Sequence, residues 1–199
     1  NVKSNKPFFV LFTSGTTGVP KGIIHSTAGY LVYTKYTCIE QFGMNKDTVM
    51  LTASDAGWMN GHTYALYGPL LMGAKTILIE RPMSLINEDL FKKILLSEKV
   101  SILYLPVTLI RLMRSIDKKI NIKSKYLKTL GSMGEPLSKH IGSWFSKKFS
   151  FKSLQVVNAY YQTENSAILA SPKFNDSLKK VPFGTVGRQV NNILGMFLE

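Results

Sequence analysis

Ten consecutive residues, Thr13-Ser14-Gly15-Thr16-Thr17-Gly18-Val19-Pro20-Lys21-Gly22, combine three glycines, four hydroxyls and one lysine. Glycines let backbone N–H groups converge on an anion. The hydroxyls add donors and the lysine a point charge, so the string reads as a phosphate-gripping loop rather than an ordinary polar turn. It is not the P-loop, because Pro20 stands where that motif needs glycine before its Lys-Ser/Thr pair. It is not the dinucleotide fingerprint either, because Gly15 and Gly18 are spaced G-x-x-G. Taken alone, Glu164 after Thr163 reads as a solvated face, and Tyr160 and Tyr161 as core aromatics. His62 reads equally as a site residue or a structural one, and His25 and His140 as structural or surface. No two of these three histidines have metal-ligand spacing.

The elements around these residues follow from periodicity. Phe8 to Phe12 is a continuous apolar run and predicts a strand buried on both faces, followed by a loop from Ser14 to Gly22. Ser26 or Thr27 caps a helix running to about Phe42 and closed by Gly43. Further strands are expected over Thr48–Ala53, Thr76–Ile79, Ile102–Leu105, Leu127–Leu130 and Leu154–Ala159. Between them lie helical stretches: His62–Met72, interrupted at Gly68-Pro69; a helix capped by Asn87 with Glu88 and Asp89 in its first turn; one striped by Leu109, Ile110, Leu112, Met113 and Ile116; and one capped by Ser138, with Ile141, Trp144, Phe145 and Phe149 on a face. After Ile168 the pattern weakens into short strands and turns. Strand–helix alternation predicts an α/β fold, a mostly parallel sheet flanked by helices with right-handed crossovers. In such sheets ligands sit beyond the carboxyl ends of the strands.

Composition narrows the function classes. The chain has 199 residues, 45% hydrophobic and 19% charged, which excludes a disordered polymer. Lys plus Arg is 25 against 12 for Asp plus Glu, a net +13 that favours anionic company. The lysines fall in scattered pairs without an aromatic-interleaved basic stripe, so a solvated basic surface is expected and no nucleic-acid partner. Cys38 is the sole cysteine, which excludes an internal disulfide or a cysteine-based metal site. With no signal-like opening and no apolar run near the roughly 20 residues of a membrane span, the expected location is cytoplasmic, with no membrane partner. Oligomeric state is not encoded legibly.

The loop string closely resembles the phosphate-loop signature of the adenylate-forming superfamily: acyl-CoA synthetases, peptide-synthetase adenylation domains and luciferases. Three later stretches extend the resemblance toward its acetyl-CoA synthetase branch. Trp58-Met59-Asn60-Gly61-His62 with Tyr67-Gly68-Pro69-Leu70 resembles W-x-T-G-H…Y-G-P-L, Gly131 to Pro136 resembles G-S-x-G-E-P, and Tyr160 to Glu164 resembles W-W-Q-T-E. The resemblance implies part of an acid–thiol ligase that joins a short carboxylic acid to ATP as an acyl-adenylate and passes the acyl group to coenzyme A. Its alternatives are an adenylation domain serving a carrier protein, or an inactive binding or scaffold domain.

By the same resemblance, Thr13, Ser14, Gly15, Thr16, Thr17, Gly18 and Lys21 hold the β- and γ-phosphates, and Thr163 meets the α-phosphate. Glu164 carries Mg²⁺, and Lys21, Thr163 and Glu164 form the catalytic set. Gly134, Glu135 and Pro136 wall the adenine, with Asn158, Ala159, Tyr160 and Gln162 as further nucleotide contacts. Met59, Asn60, Met133, Gly134 and Tyr161 line the acid pocket. Departures from the family pattern are Thr16 for serine, Val19 for the usual basic residue, Asn158 for Asp, and tyrosine for both tryptophans. Residues 1–199 are thus expected to be a partial adenylation domain, cut at both ends. The family's ribose-binding Asp, a downstream Arg and a lysine on a separate C-terminal domain would follow Glu199.

Overall fold

The computed structural model describes residues 2–15, 18–116, 120 and 122–190. Its centre is a five-stranded sheet built from β3 (Val49–Thr52), β4 (Lys75–Ile77), β5 (Ile102–Pro106), β6 (Thr129–Met133) and β7 (Val156–Asn158). Every neighbouring pair is parallel, and the spatial order is β4-β3-β5-β6-β7. The α/β class and parallel sheet expected from the sequence are present. The order breaks once: the chain runs outward from β3 to the β4 edge, then returns to place β5 on the other side of β3. Such a reversal opens a crevice at the carboxyl ends of the strands.

Helices cover both faces, so consecutive strand residues enter different cores. Leu51, Leu103, Leu105, Leu130 and Val156 join Phe91 and Leu95 of α3 (Glu88–Ser97), Leu109, Ile110 and Met113 of α4 (Val107–Ser115), and Phe145 of α5 (Lys139–Lys148). Met50, Ile102, Tyr104 and Val157 face the other way, onto Cys38 and Phe42 of α1 (Thr27–Phe42) and onto Tyr64. The expected caps form at two helices. Gly43 ends α1 with φ 65°, and the Asn87 side chain accepts from Leu90 N at 2.9 Å.

Four expectations need correction. Phe8–Phe12 does lie in a strand, β1 (Pro7–Thr13), but not one buried on both faces. It pairs antiparallel with β2 (Lys21–Ser26) in a separate two-stranded hairpin. Phe12 is 68% exposed and Ile24 65%. Only the opposite face is covered, by aromatic contacts such as Phe9 on Tyr30 and on His62. An apolar run alone does not reveal that its second face lacks a neighbour. The loop also ends earlier than expected, because Lys21 and Gly22 already belong to β2. The helix over residues 62–72 is not interrupted at Gly68-Pro69: a π-helix (Gly61–Tyr67) runs straight into α2 (Gly68–Leu71), whose first turn accommodates the proline. Finally, β6 does not stop before Gly131 but pairs with β5 through it to Met133; the glycine makes room for the Tyr104 ring, which would lie 2.5 Å from a Cβ there, rather than making a turn. The remaining elements are 3₁₀ turns at Pro82–Ile86 and Thr163–Asn165 and a short pair, β8 (Ala170–Ser171) with β9 (Arg188–Gln189). Among the described residues no helix is long and apolar enough to cross a membrane.

Candidate active site

The segments leaving β3, β5, β6 and β7 meet at the carboxyl edge of the sheet and enclose two adjoining cavities. One, of about 440 Å³, is bordered by Met59, Pro136, Asn158, Ala159, Tyr160, Gln162, Thr163, Gly184 and Val186. The other, of about 480 Å³, is bordered by Ala53, Ser54, Asp55, Asn60, Pro82, Met83, Pro106, Thr108 and Met133. Trp58, Gly134, Glu135 and Tyr161 border both and form their common wall. Three sequence stretches far apart in the chain are thus brought together.

Several walls are set by hydrogen bonds. Asn158, at the end of β7, is buried: its Oδ1 accepts from Ser132 Oγ at 3.1 Å and its Nδ2 donates to the Thr185 carbonyl at 2.9 Å. The Glu135 carboxylate meets the Arg111 guanidinium at 2.7 Å, an exposed pair whose value is orientation more than energy. Burial pushes the Tyr161 phenol far above its ordinary pKa, so it stays a neutral hydroxyl. Met59 borders the first cavity rather than the second, apart from Asn60, Met133, Gly134 and Tyr161, which all border the second.

The turn carrying Thr163 and Glu164 is held from behind by the π-helix, a form often found at functional sites. Thr63 Oγ1 donates to the Ser166 carbonyl at 2.6 Å, and the Tyr64 hydroxyl accepts from Ile168 N at 3.0 Å. Glu164 itself is exposed. The glycine-rich loop is the tip of the β1–β2 hairpin, where Thr13 lies opposite Lys21. Gly15 has φ 61°, and a Cβ there would lie 2.5 Å from the Val19 carbonyl, so only glycine lets the loop close on itself. The Lys21 stem runs alongside Gly15, its Cγ and Cε each 3.5 Å from where a Gly15 Cβ would stand. Ser14 precedes this turn and Gly18 adds a second positive φ, 78°; Thr16 and Thr17 lie outside the described residues.

His25 of β2 joins the hairpin to the turn. It is buried; desolvation lowers its pKa and outweighs the Thr163 backbone, which accepts from the ring, and the Glu164 carboxylate. The neutral imidazole therefore sits against the base of the turn, a structural role richer than its sequence suggested. His62 is also used structurally: its ring stacks on Phe9 at 4.8 Å, and Nε2 donates to the Ala56 carbonyl at 2.9 Å. Sequence reasoning did not single out Ser54, Asp55, Thr108 or Val186 as cavity residues. For the first three, their position just past a strand was the available signal; Val186 had none.

Among the described residues no three His, Cys, Asp or Glu side chains cluster to hold a metal ion.

Comparison with known proteins agrees with this anatomy. The chain is 38% identical over 174 residues to acetyl-coenzyme A synthetase 2 of Candida albicans, covering 86% of this chain and 26% of that protein. It is 40% identical over 173 residues to acetyl-coenzyme A synthetase 1 of Saccharomyces cerevisiae, covering 86% and 24%. The chain thus spans about a quarter of the length of the curated relatives it matches. A solved acyl-CoA synthetase of Brucella canis superposes with a TM-score of 0.69 at 28% identity, covering 82% of this chain and 29% of that one. The sequence pattern of the AMP-binding enzymes matches residues 1–194, and with the shared fold and the clustered motifs this chain belongs to the AMP-binding enzyme family.

Proposed function

We propose that this chain is the acid- and nucleotide-binding part of an acetyl-CoA-synthetase-like acid–thiol ligase. The observation that carries the reading is the common wall of the two cavities. A nucleotide in the cavity along Gly134–Pro136 and Asn158–Thr163 would present its α-phosphate, at Thr163, to an acid lodged beside Asn60, Met133 and Tyr161. A carboxylate oxygen then attacks the α-phosphorus, the bond to pyrophosphate breaks, and an acyl-adenylate forms. In a second step a thiol sulfur attacks the acyl carbon and AMP leaves.

The chain's own contribution is positioning and charge. Backbone N–H groups around Gly15, the hydroxyls of the loop and Lys21 would grip the departing pyrophosphate. Glu164, exposed beside Thr163, would hold Mg²⁺; bound there, the ion neutralises charge on the phosphate oxygens. Coenzyme A as the acceptor is supported by the names of the relatives, and a carrier protein is the alternative; dependence of turnover on added coenzyme A separates them. Location in the cytoplasm belongs to the same proposal.

Two measurements on the full-length enzyme test the reading. Lys21→Ala removes one charge-assisted contact, worth about 1.5–3 kcal/mol, so acid-dependent ATP–pyrophosphate exchange should lose roughly ten- to a hundredfold in kcat/KM for ATP. Unchanged exchange across ATP concentrations counts against the phosphate role. Tyr161→Gly removes the ring from the common wall. Each methylene then buried gains about 0.8 kcal/mol, so acids longer by two carbons should improve roughly tenfold relative to acetate or propionate. A wild-type optimum at long acids would overturn the assignment of Tyr161 as the element that limits acid length.

A further inference from the structure

Ser166 closes the turn Thr163–Asn165 with φ 66°, a left-handed backbone that a residue bearing a Cβ adopts only against resistance. Across it Ala167 N donates to the Asn165 carbonyl at 2.8 Å, so the chain reverses within three residues. Such conformations persist where the surroundings over-determine them, and they cluster at functional sites. Here the grip comes from a buried hydroxyl. Thr63 is fully buried, and its Oγ1 donates to the Ser166 carbonyl at 2.6 Å. A hydroxyl has one proton and that carbonyl can only accept, so the buried Tyr30 hydroxyl, 3.0 Å from Thr63 Oγ1, is the donor of their bond. Tyr30 in turn packs edge-on against Phe9 of β1 at 4.9 Å. The grip therefore leads from the hairpin of the glycine-rich loop, through two buried hydroxyls, to the turn that carries Thr163 and Glu164.

Thr63 borders neither cavity, whereas Thr163 borders the first. The turn between them moves as one piece, because Asn165 N donates to the Gln162 carbonyl at 3.1 Å and Ser166 N to the Thr163 carbonyl at 3.3 Å. Releasing the Ser166 carbonyl lets the strained backbone relax and carries the turn with it. We infer that Thr63 is a positioning residue: its bond to Ser166 holds the strained end of the turn and so fixes where Thr163 and Glu164 stand relative to the glycine-rich loop. The inference rests on the reading of those two residues as contacts to the α-phosphate and Mg²⁺.

The test is acid-dependent ATP–pyrophosphate exchange by the full-length enzyme as a function of Mg²⁺ concentration, beside a thermal melt. Thr63→Val keeps the branched shape and removes the donor. It should raise the Mg²⁺ concentration for half-maximal exchange and lower kcat/KM for ATP at least about fivefold, a fraction of the roughly hundredfold that a 1 Å misplacement can cost. Thr63→Ser, which retains the hydroxyl, should keep both values near wild type. Adding Ser166→Gly to Thr63→Val should recover most of the loss, because glycine takes a positive φ without resistance. A role in stability alone lowers the melting temperature and moves neither kinetic value where the variant is folded; that result overturns the inference, as does a loss that the added glycine leaves untouched. Ser166→Val, whose branched side chain resists a positive φ, should reproduce the kinetic pattern; it decides if Thr63→Val does not fold, and wild-type kinetics in it overturn the inference. Glu164→Gln separates the two readings. Wild-type kinetics in Thr63→Val beside an impaired Glu164→Gln overturn the inference alone, whereas a normal Mg²⁺ dependence in Glu164→Gln refutes the reading of the turn and the inference with it.

Discussion

Glu164→Gln is expected to cut adenylation by at least about 10–100-fold, on the scale of substitutions that disturb a metal's supporting contacts, while leaving the fold intact. Glu164 is exposed at the start of a short 3₁₀ turn, and that turn is held by Thr63 and Tyr64 through backbone atoms of Ser166 and Ile168. None of those bonds uses the Glu164 side chain. Glutamine keeps its shape and removes only the charge, and surface replacements of this kind normally change stability by less than about 0.5 kcal/mol. The informative measurement is pyrophosphate exchange as a function of Mg²⁺ concentration, beside a thermal melt. A deficit that eases as Mg²⁺ rises, with an unaltered melting temperature, is the expected pattern. Normal exchange at limiting Mg²⁺ removes Glu164 from the metal site.

Gly61→Ala should be among the most damaging single-methyl additions available in this chain. The new Cβ would lie 1.9 Å from the Asp55 carbonyl oxygen and 2.5 Å from its carbon. These are backbone atoms, so no side-chain rotation relieves the clash. Overpacking typically costs 1–3 kcal/mol, and the upper end, about 3 kcal/mol, is expected here. For a chain of this size that lowers the melting temperature by roughly 6–12 °C. Function should fall further than stability alone requires, because the segment from Asp55 to Gly61 carries Trp58 of the common wall and Asn60 of the second cavity. Calorimetry and exchange kinetics at a temperature where the variant is folded separate the two effects. A melting temperature within 2 °C of wild type, a margin below the shift expected per kcal/mol, would show that the segment can relax.

The family was legible early because each of its motifs is short and contiguous. The loop proposed to grip phosphate draws on glycines, hydroxyls and a lysine that all lie between Thr13 and Gly22. The parallel sheet was legible for a related reason. Runs such as Ile102–Leu105 are apolar on both alternations, as a strand covered on two faces requires, and their neighbours Leu103 and Tyr104 do enter opposite cores. Helix caps at Gly43 and Asn87 are equally local, since each satisfies backbone groups within a few residues.

What lay beyond the sequence was every relation across the sheet. The same apolar signature at Phe8–Phe12 belongs to a hairpin with an open face, because periodicity reports a residue's appetite for burial and not whether a neighbour arrives. The return from β4 to β5, which makes the crevice, follows from how whole crossovers pack, and no single segment carries it. Thr63 supports Ser166 across 103 positions, and Ser132 fixes Asn158 across 26. Local patterns follow from backbone geometry and side-chain solvation within a few residues. The site depends on which strand ends become neighbours, and only the packed tertiary structure brings those about.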